Sequence, residues 1–183
     1  MYYDGKKYPE PNIHAYCDAS FGGFLGDRKS VGGYLIVLAG GPIHWSSKKQ
    51  PLVSLSSAEA EYIELCRCIQ DVLWLRHLLK SLNFKQAKPT MVYVDNRSAI
   101  AIATRVTSYG RTKHLDFKYQ FVKEAIHQGQ IELKYIRSED NVADVFTKPL
   151  GPQKFQKCVQ AMGLRFSKSV EGVLELDNNE VKQ

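Results

Sequence analysis

Six acidic residues stand where a carboxylate could do chemistry rather than solvate a surface: Asp18, Glu59, Glu61, Glu64, Asp95 and Asp144. Three fall in one stretch, "SLSSAEAEYIEL" (54–65), just where the chain turns apolar. Ser56 followed three residues later by Glu59 is a capping-box spacing, so Glu59 has a structural reason to be there. Glu64 shares a helical face with Arg67 and Asp71 and reads as solvated. Glu61 is different. Steps of four and three from it meet Leu65, Cys68, Val72, Leu75, Leu79 and Leu82, an apolar stripe that should face a core. A carboxylate heading that stripe is costly to bury alone and needs a cation, a hydrogen-bond donor or a metal.

Asp18 closes the strand read in "NIHAYCDAS", and Asp95 closes the one read in "TMVYVD". Asp144 lies in "NVADVF", after the last strand. Each has a structural alternative. Asp18 before Ala-Ser-Phe-Gly-Gly could form an Asx turn, and Asp95 could cap the helix after it. Asp144 shares a face with Asp140 and Lys148 and could be solvated, so spacing alone does not choose between the two aspartates. Taken together, convergent carboxylates without His or Cys ligands suit hard cations such as Mg²⁺ or Mn²⁺. Two such ions about 3.5–4 Å apart form the clamp used in phosphoryl transfer.

Three strands come first: "NIHAYCDAS", "VGGYLIVLAGG" and "PIHWSSKK". Gly22, Gly23 and Gly26 suggest a phosphate loop, but no helix follows them, so the segment reads as a hairpin connection. A long helix spans about 57–82, the strand 90–95 follows, and a short helix starts at Ser98. Another helix covers 113–127, stopped by Gly129, before the strand "QIELKYIRS". "EDNVADVFTK" is helical up to Pro149, and a last helix covers 152–162. The order predicts an α/β domain with a five-stranded mixed sheet, three antiparallel leading strands and then parallel ones. In such sheets ligands gather beyond the carboxyl ends of the strands.

The chain has 183 residues, 44% of them hydrophobic, which is one ordinary domain. No run is long enough for a membrane span. Cys17, Cys66, Cys68 and Cys158 have neither disulfide-framework nor zinc spacing, and they read as reduced thiols. The net charge is +6; residues 171–183 carry −3, which leaves +9 on the rest and favours a polyanionic partner.

"YCDAS", "SSAEAEY", "VYVDNRSAI", "RTKHLDFKYQFVKE" and "EDNVADVFTKPL", in this order, closely resemble the ribonuclease H domain of Ty1/copia-type retrotransposon Pol polyproteins. The resemblance covers roughly residues 10–165. It implies a ribonuclease H-like fold and an acidic tetrad matching Asp18, Glu61, Asp95 and Asp144, the last of these chosen by resemblance alone. It also implies two Mg²⁺ ions, with Mn²⁺ as a substitute, and hydrolysis of the RNA strand of RNA–DNA hybrids. The expected partner is a reverse transcriptase domain in the same polyprotein. Residues 1–10 then read as a link from that domain, 11–165 as the ribonuclease H-like domain, and 166–183 as a flexible tail. The expected location is cytoplasmic, in a virus-like particle, with the nucleus as the alternative. The other reading is a decayed or domesticated copy that binds nucleic acid without catalysis.

Many relatives place a histidine just before the last Asp; "YIRSEDNVAD" has none, which predicts a slow enzyme. Glu139 or Asp140 could substitute only partly. The basic segment 105–123 is expected to track phosphates through Arg111, Lys113, His114 and Lys118, with Lys48 and Lys49 as weaker candidates. Its aromatics read as core. Asn96 and Ser98, next to Asp95, complete the expected nucleic-acid contacts.

Overall fold

The computed structural model describes residues 12–23, 26–104 and 113–164, with the side chains of 113–116 left aside. The expected link at 1–10, the tail at 166–183 and residues 105–112 of the basic segment, Arg111 included, lie outside the described residues.

Five strands form one sheet: β1 (His14–Ser20), β2 (Val31–Leu38), β3 (Gly41–Lys49), β4 (Thr90–Val94) and β5 (Ile131–Tyr135). Their spatial order is β3-β2-β1-β4-β5. β1 and β3 flank β2 antiparallel, while β4 runs parallel to both β1 and β5, so the sheet is mixed as expected. Ala39 and Gly40 both take positive φ, 50° and 79°, and make the two-residue turn from β2 to β3. Four helices complete the domain: α1 (Ser57–Ser81), α2 (Arg97–Thr104), α3 (Lys113–His127) and α4 (Pro152–Ala161).

β1 continues two residues past Asp18, because Asp18, Ala19 and Ser20 still pair with Gly33, Gly32 and Val31 of β2. Its parallel partner stops earlier, at the pair Cys17–Val94. α1 starts as its cap predicts: Ser56 Oγ accepts from the Glu59 N–H at 3.1 Å. The Glu59 carboxylate reaches back to the Leu55 N–H at 2.7 Å, one residue beyond the usual capping-box donor. The apolar stripe is buried from Leu65 to Leu79, but Leu82 caps the helix end and is 58% exposed.

Glu64 overturns its reading as solvated. It is fully buried, because α1 packs on β1 and β2 and this side chain faces the sheet. Its carboxylate lies over Gly32, where a Cβ would come within 1.9 Å of Oε2. Arg67 donates to that oxygen at 2.9 Å, and burial pushes the Glu64 pKa up to about 7. On the opposite face of β2, a Cβ on Gly33 would meet the Phe146 Cβ at 2.6 Å. Two consecutive glycines therefore let both layers close onto one strand.

The segment expected as a helix up to Pro149 is instead two short 3₁₀ turns, Ser138–Asp140 and Val142–Phe146. The second packs on β1 and β2, on the face away from α1. α4 then covers it, with Cys158 and Met162 joining Leu35, Val37 and Val142 in a second small core.

Candidate active site

Strand register brings the first two acids together. Cys17–Val94 is the last parallel pair, so Asp18 and Asp95 each follow the end of that ladder, on neighbouring strands at one level. Asp95 is not the cap of α2. That role falls to Asn96, whose Oδ1 accepts from the Ala99 N–H at 3.0 Å, and the helix starts at Arg97 rather than Ser98. The first turns of α1 carry Glu61 to the same place. One carboxylate oxygen from each of Asp18, Glu61 and Asp95 lies within 4.8 Å of the other two.

Two of the three acids are buried and Asp95 is half-buried. Asp18 is 2% exposed and Glu61 6%. Burial is the main reason the Glu61 pKa rises to about 9; the neighbouring Asp18 and Asp95 charges add to it, and a hydrogen bond from the Ala19 N–H opposes it. Asp18 rises to about 6, again chiefly through burial, with the Thr147 hydroxyl pulling the other way. Glu61 Oε2 and Asp95 Oδ1 are buried without a hydrogen-bond partner. Such oxygens are costly unless something positive meets them.

Asp144 arrives from the other face. Asn141, fully buried, donates from Nδ2 to Cys17 O at 3.0 Å and caps the 3₁₀ turn by accepting from the Ala143 N–H at 3.1 Å. That ties the turn to β1 and sets Asp144, also fully buried, against Asp18. Lys148 Nζ lies 2.9 Å from Asp144 Oδ1 and 3.4 Å from Asp18 Oδ2. Lys154 pairs with Asp144 Oδ2, and Thr147 donates its hydroxyl to Asp18 Oδ2. Asp140 points elsewhere, held by Lys157 at 2.6 Å and Arg137 at 3.2 Å, and the Lys157 hydrogen bond keeps its pKa below the usual carboxylate range. Glu139 pairs with Arg137 at 2.9 Å. Both are thus engaged in ion pairs at the surface.

The structure therefore gathers Asp18, Glu61 and Asp95, with Asp144 beside Asp18. Asn96 spends its side-chain oxygen on the α2 cap, Ser98 is exposed on α2, and Lys118 is half-buried on α3. Lys49 pairs with Asp27 at 3.0 Å. The side chains of Lys113 and His114 lie outside the described residues. Sequence reasoning missed Asn141, Thr147, Lys148 and Lys154 as site residues. Only Asn141 carried a usable signal, as an Asn opening a turn three residues before an aspartate.

Carboxylate oxygens alone form the donor set, two of them buried and unpartnered, which fits a hard divalent cation. Among the described residues, no helix is long and apolar enough to cross a membrane.

No family model matches the chain. It is 36% identical over 155 residues to the Retrovirus-related Pol polyprotein from transposon TNT 1-94 of Nicotiana tabacum, covering 85% of this chain and 12% of that protein. The corresponding polyprotein from transposon RE2 of Arabidopsis thaliana is 33% identical over 172 residues, covering 93% and 12%. The chain thus spans about an eighth of these relatives, 12% of each. Among solved structures, LC11-RNase H1 in complex with RNA/DNA hybrid superposes with a TM-score of 0.54 at 18% identity, covering 74% of this chain and 94% of that one. The N-terminal RNase H domain of a Mycobacterium tuberculosis protein also gives 0.54, at 15% identity, covering 82% and 98%.

Proposed function

This chain has the ribonuclease H fold and is homologous to a segment of Ty1/copia-type retrotransposon Pol polyproteins, and from that premise we propose that it is a metal-dependent endoribonuclease cutting the RNA strand of RNA–DNA hybrids. The observation that carries the proposal is the triad of buried Asp18 and Glu61 with half-buried Asp95, two of whose oxygens are buried and unpartnered. In this reading residues 11–165 are the catalytic domain and act beside a reverse transcriptase in a cytoplasmic particle or the nucleus.

Asp18, Glu61, Asp95 and Asp144 would hold two Mg²⁺ ions, or Mn²⁺ in their place. When bound, these ions supply a water of lowered pKa and charge stabilisation at the departing oxygen. The protein's part is to position and to exclude water. Asp18 and Asp95 each follow the last parallel pair of β1 and β4, whose register holds them side by side, and burial around Glu61 strengthens every charge interaction at the site. Asn141 and Thr147 keep the Asp144 turn and Asp18 in one arrangement. The hybrid would be recognised by shape, through 2′-hydroxyls on one strand and a deoxyribose backbone on the other. Without a histidine beside Asp144, turnover should be slow.

Cleavage of a labelled hybrid with Mg²⁺ or Mn²⁺, run beside Asp95→Asn and a single-stranded RNA control, tests this. Loss of hybrid cleavage in the variant is the expected result. Hybrid binding without cleavage in the unmodified chain would refute the catalytic reading and leave a binding module. Turnover equal to that of a histidine-containing enzyme under the same conditions would refute the expectation of slowness.

A further inference from the structure

The four acids are not equivalent in their charge partners. Among the described residues Asp95 and Glu61 meet no cation in an ion pair, whereas Asp144 meets two and Asp18 shares one of them. The two lysines differ as well. Lys154 is anchored twice, on Asp144 and on the Ser138 carbonyl at 2.8 Å, and so forms part of the packing of α4. Lys148 spans Asp18 and Asp144, its Nζ has no further partner among the described residues, and its side chain is 38% exposed.

We propose that Lys148 is a tethered, displaceable counter-ion for the Asp18–Asp144 pair, so that the chain takes up its two divalent ions unequally. This rests on the reading that the carboxylates hold such ions. Two buried carboxylates side by side repel unless a positive charge lies between them. Lys148 supplies that charge from the backbone four residues after Asp144, where its N–H also bonds the Asp144 carbonyl at 3.2 Å. Its four-carbon stem is flexible and its side chain is partly exposed, so the head can swing out without disturbing the turn. An ion held by Asp18, Glu61 and Asp95 competes with Lys148 only at Asp18 Oδ2, the longer of its two contacts at 3.4 Å. An ion held by Asp18 and Asp144 must first expel Lys148. Lys154 cannot play this part, since leaving would break its bond to Ser138.

Mn²⁺ titration of the full chain without nucleic acid, read by the electron paramagnetic resonance signal of free Mn²⁺, tests the proposal. The unmodified chain should bind one ion tightly and a second at a half-saturating concentration at least about tenfold higher, about 1.4 kcal/mol in affinity. Lys148→Gln should tighten the second ion about tenfold while moving the first by less than about twofold. Lys148→Met, which keeps the aliphatic stem, should give the same shift if the glutamine variant folds poorly, and Lys148→Arg should resemble the unmodified chain. Unchanged affinities in both neutral variants, or an equal shift of both ions, would overturn the idea, the latter because it signals only a general change in field. No Mn²⁺ binding in any form would overturn it too. Because no substrate is present, the two readings fail separately. A shift without hybrid cleavage removes the catalytic function only, and cleavage without a shift removes the role of Lys148 only.

Discussion

Asn141→Ala should loosen the candidate site and destabilise the whole domain, because this one side chain joins the Asp144 turn to the central strand. Asn141 is fully buried. Truncation removes the hydrogen bond to the Cys17 carbonyl, at 3.0 Å, and the cap on the Ala143 N–H, at 3.1 Å. A buried polar group left without its partner costs about 1–3 kcal/mol. That figure applies to the orphaned Cys17 carbonyl, and losing the Asn cap on the Ala143 N–H costs about 1 kcal/mol more. The combined loss is about 2–4 kcal/mol. In a domain of this size each kcal/mol moves the melting temperature by about 2–4 °C, which gives a drop of about 4–16 °C. Thermal unfolding followed by circular dichroism reads it directly. Hybrid cleavage by the folded variant should fall by at least about tenfold, since a misplaced carboxylate is costly even when the chain is intact. Asn141→Asp keeps the acceptor for Ala143 but loses the donor and adds a negative charge beside Asp18 and Asp144, so it should melt at least as low. A melting temperature within about 1 °C of the unmodified chain for Asn141→Ala would refute the claim that this side chain holds the turn.

Three further outcomes are expected, the first two from the geometry and the third from the sequence. Glu61 and Asp18 have folded pKa values near 9 and 6, raised from 4.5 and 3.8, so the folded state binds protons more tightly than the unfolded one. Without divalent ions, stability should therefore fall as pH rises from about 4 towards 9, and Glu61→Gln should flatten about half of that slope, with Glu64, raised to about 7, and Asp18 carrying the rest; melting curves in chelator across this range check it. Gly32→Ala places a Cβ 1.9 Å from Glu64 Oε2 and should cost about 1–3 kcal/mol; combined with Glu64→Ala it should cost less than the two single losses together, and simple additivity in denaturant titrations would show that Glu64 does not lie over β2. Neutralising Arg111 and Lys113 should flatten the salt dependence of hybrid binding by about one unit of slope for each phosphate that no longer meets a cation, and an unchanged slope would remove that surface from the interface.

Local periodicity determined much of this protein. The strand and helix order, the mixed sheet and the start of α1 are all legible, because apolar spacing and capping act within a few residues of one another. The same periodicity picks Glu61 out of three nearby glutamates, since a carboxylate on a core-facing stripe is anomalous whatever covers it. It failed for Glu64. A helical face is solvated only if nothing packs on it, and here β2 packs on it, with Gly32 admitting the carboxylate. The sequence also ended the first strand at Asp18. In the fold β2 carries the strand on to Ser20, and the end of the β1–β4 ladder sets Asp18 beside Asp95.

Asp140 and Asp144 show the limit most plainly. Residue type and spacing do not separate them, and resemblance alone favoured Asp144. The fold separates them through contacts distant along the chain: Asn141 reaches Cys17 across 124 residues, Thr147 reaches Asp18 across 129, and Lys157 draws Asp140 out to the surface. The sequence by itself determined which residues could carry charge into the core. Tertiary structure alone decided which of them meet, because the partners that neutralise, cap and orient a buried carboxylate come from strands and turns whose proximity no local pattern records.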